Sequence, residues 1–113
     1  MSKWEDEYKS RLRSIDEAIQ CIQSGYDVVV GQCASEPQAT MARLHTLAPR
    51  VHDVRVFSVL TMKPYDFYMK PEMKDHFELA SWFHAPGSRA ALKAGTGTVT
   101  FVPNMLHRAA TDR

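Results

Sequence analysis

The sequence predicts an α/β fold, a three-layer open sheet of about four mainly parallel strands joined by crossover helices. Two observations predict it. Short apolar runs rich in β-branched residues alternate with helical patterns along the chain. The first of these runs, residues 28–30, meets Gly31, crosses a turn of small residues and reaches Pro37, which can open a helix. Strands that alternate with helices favour parallel pairing through right-handed crossovers.

Length and composition describe a single globular domain. The chain has 113 residues, of which 44% are hydrophobic and 24% are charged, so a packed core is expected and disorder is not. Fourteen basic residues against thirteen acidic ones give a net charge of +1. A surface for nucleic acid or another polyanion is therefore not indicated.

The sequence also favours a cytoplasmic protein without a membrane anchor. No apolar run approaches the roughly 20 residues that a membrane-spanning helix needs, and the acidic N-terminus has no signal-peptide core. Cys21 and Cys33 fall in different predicted elements, so they do not form a disulfide framework. A reducing compartment is the simplest setting.

The first half of the chain contains two helical segments before the first strand and one after it. Residues 3–12 permit a helix, and Ser14 followed by Glu17 is a capping-box pattern that starts a second helix. Residues 28–30 read as a strand covered on both faces. Pro37 suits the first turn of the next helix, which continues to Ala48 and ends at Pro49.

The second half contains three further strands. Residues 54–60, 77–83 and 98–102 predict them, with Phe77, Leu79 and Ser81 on one face of the third strand. Residues 61–76 are irregular and read as a loop with room for one helical turn. A short helix over 86–95 follows the third strand, and residues 104–113 show no clear element. A fourth strand so close to the chain end would be poorly protected, so the sequence looks incomplete.

Several short motifs, in a fixed order, carry a resemblance to a known family. They are Trp4…Tyr8-Lys9, the segment 22–31, Glu36-Pro37, Leu60-Thr61…Pro64-Tyr65, His76-Phe77, the segment 81–83, the segment 86–89 and Gly95…Phe101-Val102-Pro103. On these residues the chain resembles the N-terminal part of the acetyl-CoA hydrolase/transferase family, which includes 4-hydroxybutyrate and butyrate:acetate CoA-transferases. The similarity extends from Trp4 to about Leu106.

The resemblance implies that residues 1–113 are one α/β half of a larger enzyme whose C-terminal half is absent from this chain. In such enzymes a glutamate of the second half attacks the acyl-CoA thioester, and coenzyme A is a substrate rather than a tightly bound cofactor. No catalytic residue is therefore assigned here. The chain departs from the family pattern at Gln32, where histidine is frequent, and at Ser35 and Ala85, where glycine is frequent.

The residues after the first strand form the main candidate site, because ligands of open α/β sheets bind at the carboxyl ends of the strands. We call residues 31–37 the 31–37 turn. Helix N-termini favour anions, although Glu36 places a negative charge there and could satisfy the free N–H groups itself. The predicted substrate-side residues are Gly31, Gln32, Cys33, Ala34, Ser35, Glu36, Pro37, Thr61 and Arg89.

Each candidate also has a plain structural interpretation. The turn could serve only to cap a helix, Thr61 could bond only to backbone, and Arg89 could be a surface residue rather than a carboxylate or phosphate ligand. Cys33 could be reactive between a strand and a helix, but no histidine is tied to it in sequence. The histidines show no metal-ligand spacing, so no metal site is predicted.

Two functions from different classes follow. The chain is either the N-terminal domain of an enzyme that moves CoA between a short acyl-CoA and a carboxylate, inactive alone, or a stand-alone interaction or small-ligand-binding domain. A small thiol enzyme using Cys33 is a weaker third option. The expected partners are the missing C-terminal half or a second copy of the chain, most simply as a homodimer.

Overall fold

One parallel sheet organises the chain. In the computed structural model, which describes residues 2–112, four strands lie in the order of the sequence, and every neighbouring pair is parallel. The strands are β1 Asp27–Val29, β2 Val54–Ser58, β3 Phe77–Ser81 and β4 Val99–Phe101. The predicted α/β class and the parallel pairing are confirmed.

The helices are short, and several continue as 3₁₀ turns. They are α1 Lys3–Arg11, α2 Ile15–Ala18, α3 Gln38–Met41, α4 Asp66–Met69, α5 Pro86–Ala94 and α6 Ala109–Asp112. The 3₁₀ segments are Ile19–Cys21, Cys33–Ser35, Leu44–Leu47, Pro71–Met73 and Leu106–Arg108. None of the helices over residues 2–112 combines the length and apolarity needed to cross a membrane.

Local chemistry explains where the helices begin and end. Ser14 and Glu17 form the predicted capping box at the start of α2, and Ser2 with Glu5 forms a second one at α1. Gly95 ends α5 in the left-handed conformation, which glycine adopts at little cost. The helix predicted from Pro37 to Ala48 is instead the four-residue α3 followed by a 3₁₀ turn, and Pro37 occupies its N-cap.

The hydrophobic core lies on one face of the sheet. Val54, Val56 and Leu79 are completely buried on that face, together with Phe77. Strand register places Val28, Val56, Leu79 and Val99 side by side in one row across the sheet. Further core side chains come from the helices and loops, among them Ile19, Met41, Leu44, Leu47, Tyr65, Phe67, Tyr68 and Ala91.

The opposite face, which we call the second face, is open toward the edge strands β1 and β4, whereas Ala80 of β3 is buried on it. Register places Val29, Phe57, Ala80 and Thr100 in one of its rows. Val29 is 79% exposed, so the prediction that residues 28–30 are covered on both faces is wrong. A run of three valines cannot distinguish a central buried strand from an edge strand, and β1 is an edge strand here.

Two segments without a clear pattern in the sequence have structure. Residues 61–76 contain α4, whose Phe67 and Tyr68 are fully buried in the core. The segment after Asn104, for which the sequence predicts no element, forms a 3₁₀ turn and then α6. These elements have three or four residues each, too few to show a hydrophobic period.

Candidate functional site

The loops that follow β1, β2 and β3 emerge at the same edge of the sheet, because the strands are parallel. We call this the carboxyl edge. The 31–37 turn leaves β1, and Thr61 to Tyr65 follow β2. Hydrogen bonds from the second loop to Glu36 tie the two together. The structure therefore joins two of the three regions that the sequence selected.

The 31–37 turn requires glycine at its first position. A Cβ atom on Gly31 would lie 2.5 Å from the Ser35 carbonyl oxygen and 2.9 Å from the Ser35 hydroxyl oxygen. The turn closes on itself, because the Ser35 hydroxyl donates to the Gln32 carbonyl at 2.7 Å. Cys33 has a φ of 49°, in the left-handed region that side-chain-bearing residues seldom adopt. This turn is tight and locally strained.

Glu36 is the central polar residue of the carboxyl edge. It is only 6% exposed. Its carboxylate accepts hydrogen bonds from the Met62 N–H at 3.1 and 3.2 Å and from the Tyr65 hydroxyl at 2.8 Å. The expectation that Glu36 satisfies free N–H groups at its own helix start is therefore wrong. Its oxygens bind a loop that lies 26 to 29 residues further along the chain.

No positive side chain offsets the charge of Glu36: among residues 2–112, no ion pair includes this carboxylate. Burial, followed by the hydrogen bond and the charge of Glu36, raises the pKa of Tyr65 well above its ordinary value. The Tyr65 hydroxyl therefore stays protonated and remains a donor. Charge-assisted bonds of this kind are about twice as strong as neutral ones, so the link is a firm connection between the two loops.

Thr61 faces the interior rather than a solvent-filled crevice. It is 1% exposed and lies beside Tyr68, the pKa of which is raised by burial and lowered in part by the neighbouring Thr61 hydroxyl. The Tyr68 hydroxyl donates to the Lys63 carbonyl at 2.8 Å. Thr61 therefore packs in the interior beneath the loop that follows β2.

Arg89 lies in the first turn of α5, at the end of the loop after β3. Its Nε donates to the His84 carbonyl oxygen at 2.9 Å, and the residue is exposed. Burial, and then the charge of Arg89, lowers the pKa of His84. His84 is therefore neutral near pH 7, and its ring lies 5.1 Å from that of Phe101. Arg89 thus has a structural contact besides its exposed charge.

Cysteine and histidine chemistry receives little support. Cys21 and Cys33 are both free and exposed. Within residues 2–112, no three His, Cys, Asp or Glu side chains are grouped as a metal site would require.

Sequence reasoning missed Met62 and Tyr65, which fix Glu36 in place. The sequence offers one indication of this link: Glu36 precedes a proline in the turn after β1, and a loop with aromatic residues follows β2.

A polar cleft of about 370 Å³ lies at the opposite, amino edge of the sheet. Asp27, Asp53 and Glu78 line it together with Arg55 and Lys74. Arg55 and Glu78 are already paired there, with 3.3 Å between the guanidinium Nε and a carboxylate oxygen. Despite its size, this cleft lies at the wrong end of the strands for an α/β ligand site.

Comparison with known proteins supports the fold and identifies relatives. Residues 1–112 match the acetyl-CoA hydrolase/transferase N-terminal domain. A butyryl-CoA:acetate CoA-transferase of Anaerostipes caccae is 26% identical over 92 residues, which is 81% of this chain and 21% of that protein. The chain therefore spans about a fifth of the length of that relative.

Solved structures show the same architecture. The crystal structure of RipA from Yersinia pestis superposes with a TM-score of 0.80 at 26% identity, covering 96% of this chain and 27% of that chain. A single-residue mutant of RipA gives a TM-score of 0.76 at 28% identity, covering 90% and 25%. The similarity includes nearly all of the fold described above but only about a quarter of each RipA chain.

Proposed function

Because the chain belongs to the acetyl-CoA hydrolase/transferase N-terminal domain family, we propose that it is the N-terminal domain of an enzyme that moves CoA between a short acyl-CoA and a carboxylate. The match to the family over residues 1–112 is the observation that carries this proposal. The name of the Anaerostipes caccae relative, a butyryl-CoA:acetate CoA-transferase, supports the substrate class.

The carboxyl edge forms one wall of the substrate crevice in this proposal. The 31–37 turn presents backbone and small side chains to the substrate, and the bonds from Glu36 to Met62 and Tyr65 hold the turn against the loop after β2. Glu36 is occupied by these bonds and does not serve as the nucleophile. Coenzyme A is a substrate in this reaction, and no cofactor is held tightly.

The rest of the catalytic machinery belongs to a second half that lies outside this chain. The resemblance implies that this half supplies a glutamate nucleophile. The chain alone is then inactive, and it pairs either with that half or with a second copy of itself, in the cytoplasm. The open second face and the exposed Phe101, Met105 and Leu106 are consistent with such a partner.

A thioester-exchange assay tests the proposal. Butyryl-CoA and acetate are incubated with the purified chain and, separately, with a polypeptide of family length that contains it. We expect acetyl-CoA only from the longer polypeptide. Turnover by the 113-residue chain, or its absence from the longer polypeptide, would refute the proposal. Hydrolysis of butyryl-CoA without acetate would assign the enzyme to the hydrolase branch.

A further inference from the structure

The first helix, α1, stands apart from the hydrophobic core. Every residue from 2 to 18 is exposed, whereas Ile19, directly after α2, is buried in the core. Helix α1 has nine residues, and isolated helices shorter than about 12–15 residues are marginal in water. Packing against another surface would stabilise this helix, and its large apolar side chains indicate which side packs.

These apolar side chains form one stripe, which we call the α1 stripe: Trp4, Tyr8 and Leu12. They are 77%, 65% and 57% exposed. Residues four positions apart lie on the same side of a helix. The stripe is symmetric about Tyr8, because Trp4 and Leu12 each lie four residues from it. A two-fold axis at Tyr8 therefore places Trp4 of one copy opposite Leu12 of the other.

A groove beside Leu12 offers a place for that tryptophan. The groove has a volume of about 330 Å³, and its lining residues are Tyr8, Arg11, Leu12, Arg13 and Ala18. A cavity of about 150 Å³ in another protein holds a benzene ring, so this groove has room for an indole ring. Tryptophan side chains seated in pockets are frequent sources of binding energy at protein interfaces.

The charges on α1 match an antiparallel pair of helices. Its first turn is acidic and its last turn is basic. With Tyr8 on the two-fold axis, Glu7 lies on the same flank as the partner's Arg11, two residues or about 3 Å apart along the helix axis. Glu7 and Arg11 already pair within each helix, so two copies form one network of four charges on that flank. The helix macrodipoles also favour the antiparallel direction.

We infer that the α1 stripe is a self-association surface, through which two copies of this chain pair by antiparallel contact of their α1 helices. A second copy is the occupant that fits, because the stripe, the groove and the charges are complementary to themselves. The inference is independent of the proposed function, since association of the chain and thioester exchange are measured separately.

The size of the α1 stripe sets the expected strength of the dimer. An aromatic side chain buries about 150–250 Å² when it is fully covered. Two copies of the α1 stripe therefore remove on the order of 1,000 Å² from solvent, which is at the low end for specific interfaces. We expect a weak, reversible dimer with a Kd of about 10–100 μM.

Sedimentation velocity of the 113-residue chain tests this surface. The protein concentration runs from about 5 to about 500 μM at low salt, which brackets the expected Kd. Tyr8→Glu places two negative charges at the two-fold axis and should weaken dimerisation at least about ten-fold. Ser10→Glu adds the same charge on the opposite side of α1 and should change the Kd less than about three-fold. Both positions are exposed, so thermal melts at low concentration should show the same fold for both variants.

A mixing experiment tests the antiparallel direction. Glu7→Arg and Arg11→Glu each place like charges across the interface, and each alone should weaken dimerisation about five-fold. An equimolar mixture of the two variants has opposite charges between the copies, so its Kd should return to within about two-fold of the unmodified chain. Effects within one helix are the same in the mixture as in each variant alone. Recovery therefore reports contact between copies.

Dimerisation that Tyr8→Glu abolishes, and that the mixture of the Glu7 and Arg11 variants recovers, supports the inference. A chain that stays monomeric up to about 500 μM overturns it and leaves the α1 stripe to a different partner. Dimerisation that Tyr8→Glu leaves unchanged also overturns it, because the interface then lies elsewhere, such as on the second face. A mixture that associates no better than its two components overturns the antiparallel pairing.

Discussion

Tyr65→Phe removes one hydroxyl and tests whether the link to Glu36 holds the carboxyl edge together. The hydroxyl donates to a buried carboxylate at 2.8 Å, and Tyr65 itself is 4% exposed. Hydrogen bonds to charged groups contribute about 1.5–3 kcal/mol each, so we expect the free energy of unfolding to fall by about 2 kcal/mol. For a domain of this size that corresponds to a Tm decrease of about 8 °C.

The assay is urea unfolding at pH 7 followed by circular dichroism, with two comparison variants. Tyr68→Phe removes a hydroxyl that donates to the neutral Lys63 carbonyl, and it should cost about 1 kcal/mol. Tyr8→Phe changes a side chain that is 65% exposed and should stay within about 0.5 kcal/mol of the unmodified chain. A Tyr65→Phe loss no larger than that of Tyr8→Phe would refute the link.

Three further predictions concern the same edge. Gly31→Ala should cost about 1–3 kcal/mol in unfolding free energy, measured by thermal melts, because its Cβ meets the Ser35 carbonyl at 2.5 Å; a gain would contradict the turn geometry. The free energy of unfolding should decline above about pH 10. Tyrosines of the unfolded chain lose their protons there, whereas the buried Tyr65 and Tyr68 keep theirs because their pKa values are raised. The decline should be shallower in Tyr68→Phe. Because the pKa of His84 is lowered, stability should also fall as pH drops below about 6.5, and His84→Gln should flatten that fall.

The strands could be predicted from the sequence because β-branched runs bounded by glycine and proline mark them locally. Residues 54–60 and 77–83 contain β2 and β3, and burial alternates along β2. In β3 the predicted face with Phe77, Leu79 and Ser81 is buried, but Ala80 on the other face is buried as well. The exposure of Val29 could not be predicted in the same way. Whether a face is covered depends on which crossovers pack there, and that is set by the whole topology rather than by one apolar run.

The hydrogen bonds that connect the loops of the carboxyl edge could not be predicted from local sequence patterns. The sequence places Glu36 in the right turn, but its partners Met62 and Tyr65 are brought to it only by the pairing of β1 with β2. The same reason applies to α6, which lies in a segment with no hydrophobic period. Short helices form there because tertiary contacts stabilise them, and their sequences alone carry little signal.

In the proposed function the carboxyl edge, and not the amino edge, faces the substrate. Two glycines flank β1 and form a matched pair, Gly31 at the carboxyl edge and Gly25 at the amino edge. A Cβ atom at Gly25 would meet no other atom within 4 Å, although the φ of +78° there disfavours alanine. Butyryl-CoA:acetate exchange is measured for each alanine variant in a polypeptide of family length, below the Tm of both. We predict that Gly31→Ala lowers kcat/KM at least ten-fold while Gly25→Ala stays within about three-fold. Equal losses, or a larger loss in Gly25→Ala, would contradict the account.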